Sequence, residues 1–460
     1  MSSRDVNMKH SLQPEKLRTS FEVLSKSFNI KQWDIGATST EDISVQVDRG
    51  ETKQLKASQR NSVTIRVWNT NGIVGISSTS DMTESGLKKG LISAYNASNY
   101  GNQNEIPAFS PLAKSPLPKS RKPVKEQLGI SSLIDILKNA EDQLIKSHEH
   151  IESVPYNGLS ELAYERIYIN SEGANRHISS TQSSLYLYAR AIEKNRKPRS
   201  AGAIRLAYGT KDLDINGCIE EVLLKTVSHL NYKPIKTGKY LVCFSPEAFL
   251  DLINSFSNIF NARSILDGVS LSKVESIGEK ISVPFLSIYD DGLHPSNIGS
   301  TPFDGEGTPT QKLCLVKEGK LVNLIHSEAT ARKLGVTPTG HAGSGAKVSV
   351  GTDWLVIKSE LSVQDSGAFN HEQFQDTYVL VDSLNALHAG IKSTQGSFSL
   401  PFDGWMISKG ERVSIEAATI AGDIKELLNN IINIEHKSFE THQGVSPHVW
   451  IEGLTITGER

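Results

Sequence analysis

Residues 302–343 read PFDGEGTPTQKLCLVKEGKLVNLIHSEATARKLGVTPTGHAG, and the reading of the whole chain turns on them. Phe303-Asp304-Gly305-Glu306-Gly307 is acidic and turn-rich, bracketed by Pro302 and Pro309. Paired carboxylates suit acid–base chemistry, but the glycines and prolines around Asp304 and Glu306 point to tight backbone geometry first. The pair is therefore assigned to structure or to the lining of a cleft. His341, in the glycine-rich loop 339–343, is placed with them. From about residue 264 onward the chain is strand-and-turn material with many glycines and one late helix near 424–432. The second half thus reads as a large mixed or antiparallel sheet system.

Upstream, residues 239–244 read as a strand leading directly into a helix over 246–260. At the junction stand Leu241-Val242-Cys243-Phe244-Ser245-Pro246-Glu247-Ala248-Phe249-Leu250-Asp251. Ser245 is a good N-cap, Pro246 suits the first helical position, and Glu247 complements the positive end of the helix dipole. Phe249, Leu252, Ile253 and Phe256 continue a smooth apolar pattern, so this helix is built to pack.

The first hundred residues read as an α/β unit. Leu17, Phe21, Leu24 and Phe28 recur at helical spacing. β-type runs follow at 33–38, 43–48, 62–68 and 73–78, with Asp48-Arg49-Gly50-Glu51 and Asn69-Thr70-Asn71-Gly72 supplying hairpin turns. Asp81 or Thr83 caps the next helix. Between residues 101 and 125, Pro107, Pro111, Pro116, Pro118 and Pro123 interrupt polar sequence, which predicts an extended connection. A helix with Leu133, Ile134, Leu137, Ala140, Leu144 and Ile145 on its buried stripe comes next. Strands at 162–169 and 184–191 and a helix at 219–230 complete the middle. The expected fold class is α+β: an N-terminal α/β domain (1–105), a proline-rich linker (106–125), a middle α+β region (126–238) and a strand-rich C-terminal domain (239–460).

The 460 residues carry a formal net charge of −2, with 38% hydrophobic and 22% charged side chains. Nothing in that balance calls for nucleic acid or an anionic membrane as partner. The basic run Lys194-Asn195-Arg196-Lys197-Pro198-Arg199 reads as a solvated loop. Cys218, Cys243 and Cys314 are widely spaced and odd in number, which fits a reducing compartment. The opening MSSRDVNMKHSLQPEKLRTS lacks a signal-peptide core, and no apolar run approaches spanning length, so the expected location is cytoplasmic. His436, His442 and His448 read as a chance grouping of surface histidines.

The run 302–343 resembles the central segment of the TldD/PmbA peptidase superfamily. Similar matches occur at 63–81, at Tyr289-Asp290-Asp291-Gly292, and at the closing Val449-Trp450-Ile451-Glu452-Gly453-Leu454-Thr455-Ile456-Thr457-Gly458. The resemblance implies a heterodimeric peptidase: a TldD-type subunit carries zinc, and a PmbA (TldE)-type companion completes a chamber for unfolded peptides. In the TldD branch the helix after the junction strand opens with His-Glu-x-x-x-His, and a cysteine near the C-terminus adds a ligand. Residue by residue, the motif falls on Pro246, Glu247 and Asp251. Proline has no lone pair to give, and no cysteine follows Cys314; the corresponding tail reads His442-Gln443-Gly444-Val445-Ser446-Pro447. Positions five apart on a helix diverge by roughly 140°, so such a ligand pair needs a break in the helix, and Leu250 stands where glycine would allow one.

The resemblance to the PmbA/TldE-like branch therefore implies a noncatalytic subunit. It has no catalytic or metal-ligating residues of its own, binds no cofactor, and works beside a zinc-bearing TldD-type partner. Two alternatives stay open: an autonomous metallopeptidase with a relocated site, using Glu247 and tail histidines, and a stand-alone interaction protein of the gyrase-modulator type.

Overall fold

The structure is a computed structural model that describes residues 12–101, 107–119, 123–345, 347–367 and 369–458. Helix α1 (Pro14–Ser27) leads into three strands, β1 (Gln32–Asp48), β2 (Glu51–Trp68) and β3 (Val74–Thr79), followed by α2 (Glu84–Ser98), which Thr83 caps. Then come α3 (Ile130–Lys146), β4 (Ile151–Asn170), β5 (Asn175–Ala191), β6 (Arg199–Ala207) and α4 (Ile215–Ser228). The six strands form one antiparallel sheet in the order β3-β2-β1-β4-β5-β6.

Two of the expected short strands are halves of β1. The polar step Ser39–Asp42 stays extended because both its edges are occupied: Thr40 pairs with Arg60 of β2 and with Tyr164 of β4. The hairpin after it turns at Arg49 and Gly50, both at positive φ. Their amides donate to the buried carboxylate of Glu141 on α3, at 3.0 and 2.8 Å. One core joins α1 and α2 to the sheet through Phe21, Trp33, Ile65 and Leu91; a second joins α3 and α4 through Leu133, Leu137, Leu185 and Val222.

The rest of the chain adds thirteen strands: β7 (Tyr232–Pro234), β8 (Gly238–Phe244), β9 (Leu286–Asp291), β10 (Lys312–Lys317), β11 (Lys320–Leu321), β12 (Leu355–Ser359) and β13 (Tyr378–Leu384). They continue with β14 (Ile391–Lys392), β15 (Ser397–Ser408), β16 (Glu411–Glu416), β17 (Ala418–Asp423), β18 (Ile431–Glu440) and β19 (Gly444–Thr457). Their main order is β11-β10-β9-β12-β19-β8-β13-β15-β16-β7. Strand β19 is the hub, pairing with β8, β12, β17 and β18. The sheet is mixed, since β8–β13, β12–β19 and β7–β16 run parallel.

Between β8 and the next strands lies α5 (Pro246–Ser255), packed through Phe249, Leu250, Leu252 and Ile253. It is shorter than the expected 246–260. At Phe256 the backbone leaves helical geometry, and a 3-10 turn, Ser257–Phe260, buries Ile259 and Phe260 in the same core. The late helix likewise stops at Asn429, because Ile431 is drawn into β18 opposite Ile451.

The proline-rich segment does not stand between separate sheets, since β1 pairs with β4 across it. Residues 102–106 and 120–122 lie outside the described residues, but 107–119 is packed. The Trp68 indole donates to Pro107 O at 2.8 Å. Ala108 N donates to Glu328 at 3.2 Å and Thr308 Oγ1 to Ser110 Oγ at 2.8 Å. Arg176 holds Leu112 O and Ser115 O and also reaches Gly307 O. The basic run 194–199 is a solvated loop, as expected, with Lys194 to Pro198 exposed, and its side chains are tethered at the surface. Arg196 and Arg199 lie over the Tyr232 ring at 4.2 and 5.1 Å, and Lys197 bonds Glu416 at 2.6 Å. Opposite charge and an aromatic face on β7 and β16 draw the loop down.

Candidate functional site

The β8–α5 junction opens on a cavity of about 1270 Å³ between the two sheets. One wall carries Tyr156, Tyr188 and the consecutive residues 200–206 of the edge strand β6. The other carries Ser245, Pro246, Glu247, Asp251, Asp382, His442 and His448.

Ser245 does what an N-cap does and more. Its hydroxyl oxygen accepts from Ala248 N at 3.1 Å while the hydroxyl donates to Asp382 O at 2.6 Å. Pro246 occupies the first helical turn, where its missing N–H costs nothing. Glu247 Oε1 lies 3.1 Å from His442 Nδ1. That hydrogen bond holds the carboxyl below its ordinary range and raises the imidazole above its own. Asp251 accepts from the Gln443 amide at 2.6 Å, yet burial still pushes its carboxyl up. Lys225 of α4 faces this corner, 2.9 Å from Glu221 and 3.7 Å from Asp382.

These residues do not fit a zinc ion at the start of α5. Pro246 offers no donor, and among the described residues Glu247, Asp251 and His442 do not bring three ligand atoms within 4.8 Å of one another. The corner is an ion-paired and hydrogen-bonded wall of the cavity.

Asp304, Glu306 and His341 do not line this large cavity. Asp304 and His341 border a smaller one of about 230 Å³ with Arg166 and Asp353. Asp304 accepts three backbone N–H groups, from Glu306, Thr308 and Ala342, at 2.8–3.0 Å. Burial nevertheless raises its carboxyl. His341 Nε2 lies 3.4 Å from Asp290, which in turn accepts the amides of Asp353 and Trp354 at 2.9 Å. Glu306 sits in a buried network behind the small cavity. It accepts Glu328 N at 2.7 Å and lies 3.9 Å from Arg66, and burial pushes its carboxyl up to about 7.

Of the tail histidines, His436 lies exposed at the surface as expected. His448 is buried, with burial driving its imidazole down to about 4, and His442 is half-buried against Glu247. Residue types alone give no sign of this, because β19 is enclosed on both sides by its neighbours.

Three segments match the PmbA/TldA metallopeptidase family: domain 1 over 33–98, the central domain over 125–230 and the C-terminal domain over 237–458. The chain belongs to that family. It is 22% identical over 431 residues to the metalloprotease PmbA of Escherichia coli O157:H7, covering 93% of this chain and 92% of that one. A PmbA homologue of Haemophilus influenzae is 24% identical over 393 residues, covering 79% of each. Among solved structures, a candidate modulator of a DNA gyrase from Thermotoga maritima superposes with a TM-score of 0.84 at 24% identity, covering 96% of this chain and all of that one. TldE from Thermococcus kodakarensis follows at 0.82 and 20%, covering 95% and 100%. At these identities the superpositions establish the fold. Among the described residues no helix is long and apolar enough to cross a membrane.

Proposed function

We propose that this chain is the noncatalytic, PmbA/TldE-type subunit of a cytoplasmic heterodimeric zinc peptidase. Its partner is a TldD-type subunit that carries the metal, and its large cavity forms part of the chamber that receives unfolded peptides. The observation that carries this reading is the start of α5. There Pro246 and Asp251 stand at the two histidine positions of the zinc motif, and Asp251 is hydrogen-bonded to Gln443.

Peptide binding is supported by the cavity wall. Strand β6 is the last of its sheet, so its outer edge offers backbone groups to an extended chain. Tyr156, Tyr188 and Ile204 present exposed apolar surface beside it. Such recognition selects for unfolded backbone over sequence. The test is cleavage of a fluorogenic unfolded peptide by the purified chain, by a TldD-type subunit, and by both together. Cleavage should require the TldD-type subunit; turnover by this chain alone would overturn the reading.

One observation favours a second reading, an autonomous peptidase: the Glu247–His442 pair could act as an acid–base couple. In that case Glu247→Ala would abolish turnover by the isolated chain.

A further inference from the structure

The β18–β19 ladder slips between Ile434 and Ser438, and the irregularity brings Glu435 beside His448. His371 reaches both from the loop ahead of β13. Ligand atoms of these three side chains all lie within 4.8 Å of one another, the one such trio among the described residues. His371 Nδ1 lies 3.0 Å from Glu435 Oε2, and His448 Nδ1 lies 4.0 Å from the same oxygen. The two imidazoles stack with centroids 3.7 Å apart.

Two features set the trio apart from a satisfied histidine–glutamate pair. His448 is only 8% exposed, and its Nδ1 has no hydrogen-bond partner. Leaving such an atom unpaired costs about 1–3 kcal/mol. Its 4.0 Å to the carboxylate is too long for a hydrogen bond; two ligands of a four-coordinate ion, with bonds of about 2.0–2.2 Å each, stand about 3.4 Å apart, so a closure of roughly half an ångström lets both bind. Glu435, moreover, is held from outside. The Trp450 indole donates to Oε1 at 3.0 Å and His371 N donates to the same oxygen at 2.8 Å. Outer partners of this kind orient metal ligands. The loop itself is fixed by the Tyr378 hydroxyl, which donates to His371 O at 2.6 Å.

We infer that His371, Glu435 and His448 bind one divalent transition-metal ion of the zinc type. Two imidazoles and a carboxylate are a donor set for such ions, with water completing a four-coordinate sphere. For both nitrogens to converge, the His371 ring turns out of the stack, which its part-exposed loop position permits. The ion replaces the proton between His371 and Glu435. It would fasten residues 369–374, whose Phe369 and Phe374 pack on Trp450, to the last hairpin. The site is distinct from the α5 junction, so it goes beyond the proposed function and does not depend on it.

The test uses the full chain, stripped with chelator and titrated with Co²⁺ by visible absorption, then with Zn²⁺ by competition. One equivalent of Co²⁺ should bind and be displaced by Zn²⁺. His448→Ala, Glu435→Gln and His371→Asn should each weaken binding by more than about a hundredfold, and Trp450→Phe by about ten- to a hundredfold. His371→Asn changes no residue of the buried hairpin itself, so it keeps the test decisive if the other variants misfold. His442→Ala and Asp251→Asn should bind as the parent does. No uptake, or uptake that survives His371→Asn, overturns this inference alone. Uptake lost in His442→Ala overturns it too, and also removes the ground for calling the α5 junction metal-free.

Discussion

Glu247 and His442 meet at 3.1 Å across the start of α5, and each shifts the other's titration in the direction that keeps both charged. The folded imidazole titrates above 6.5, so its contribution is full below that pH and fades as pH rises through the folded value. The folded carboxyl titrates below 4.5, so its contribution is full above that pH and fades as pH falls through the folded value. The pair therefore stabilises most between pH 4.5 and 6.5. Both side chains are more than a third exposed, and screening limits the effect to under about 1 kcal/mol. Thermal unfolding of the parent and Glu247→Gln should differ more at about pH 5.5 than at about pH 8.5; an equal difference at both would refute the linkage.

Arg66 links the N-terminal sheet to the acidic turn 303–307. Its Nε donates to both oxygens of Asp34, at 2.9 and 3.1 Å, while the Tyr168 hydroxyl donates to Asp34 and Glu306 waits on the far side. All four side chains are buried. Arg66→Leu leaves Asp34 without its cation, which should cost about 3–5 kcal/mol in urea unfolding. A loss below about 1 kcal/mol would mean that the network is solvated.

Gly307 closes the acidic turn at φ +76, and a Cβ there would lie 2.4 Å from the Tyr168 ring. Gly307→Ala adds backbone strain of about 1–2 kcal/mol to that overlap. Reduced stability and faster proteolysis between the sheets are the expected readouts. An unchanged unfolding midpoint would show that Tyr168 yields freely.

Peptide affinity should reside on the wall opposite α5. Tyr156 and Ile204 are 67% and 43% exposed and line the cavity. Tyr156→Ala or Ile204→Asp should weaken binding of an unfolded, fluorescently labelled peptide by about tenfold, equivalent to about 1.4 kcal/mol. Folding should be unaffected, because neither side chain belongs to a core. Unchanged anisotropy titrations would place the peptide elsewhere.

Local physics was legible and convergence was not. Ser245 and Pro246 announced the start of α5, and the leucines of α3 announced their stripe, because capping and periodicity are properties of neighbouring residues. The extended step Ser39–Asp42 misled because its reason, pairing on both edges, lies in β2 and β4. The contacts of the loop 194–199 were hidden for the same reason, since Tyr232 and Glu416 are distant in sequence. His371, Glu435 and His448 carry no local signature at all. Two strands and a loop bring them together, and a slip in one ladder aims two of them.

The segment 107–119 has a mechanical consequence. It is stitched to Trp68 and Arg176 on one side and to Glu328 and Thr308 on the other, so it works as a clasp that stops the halves from parting like jaws. In the chamber proposed above, the spacing of the walls is then set by the fold rather than by the guest.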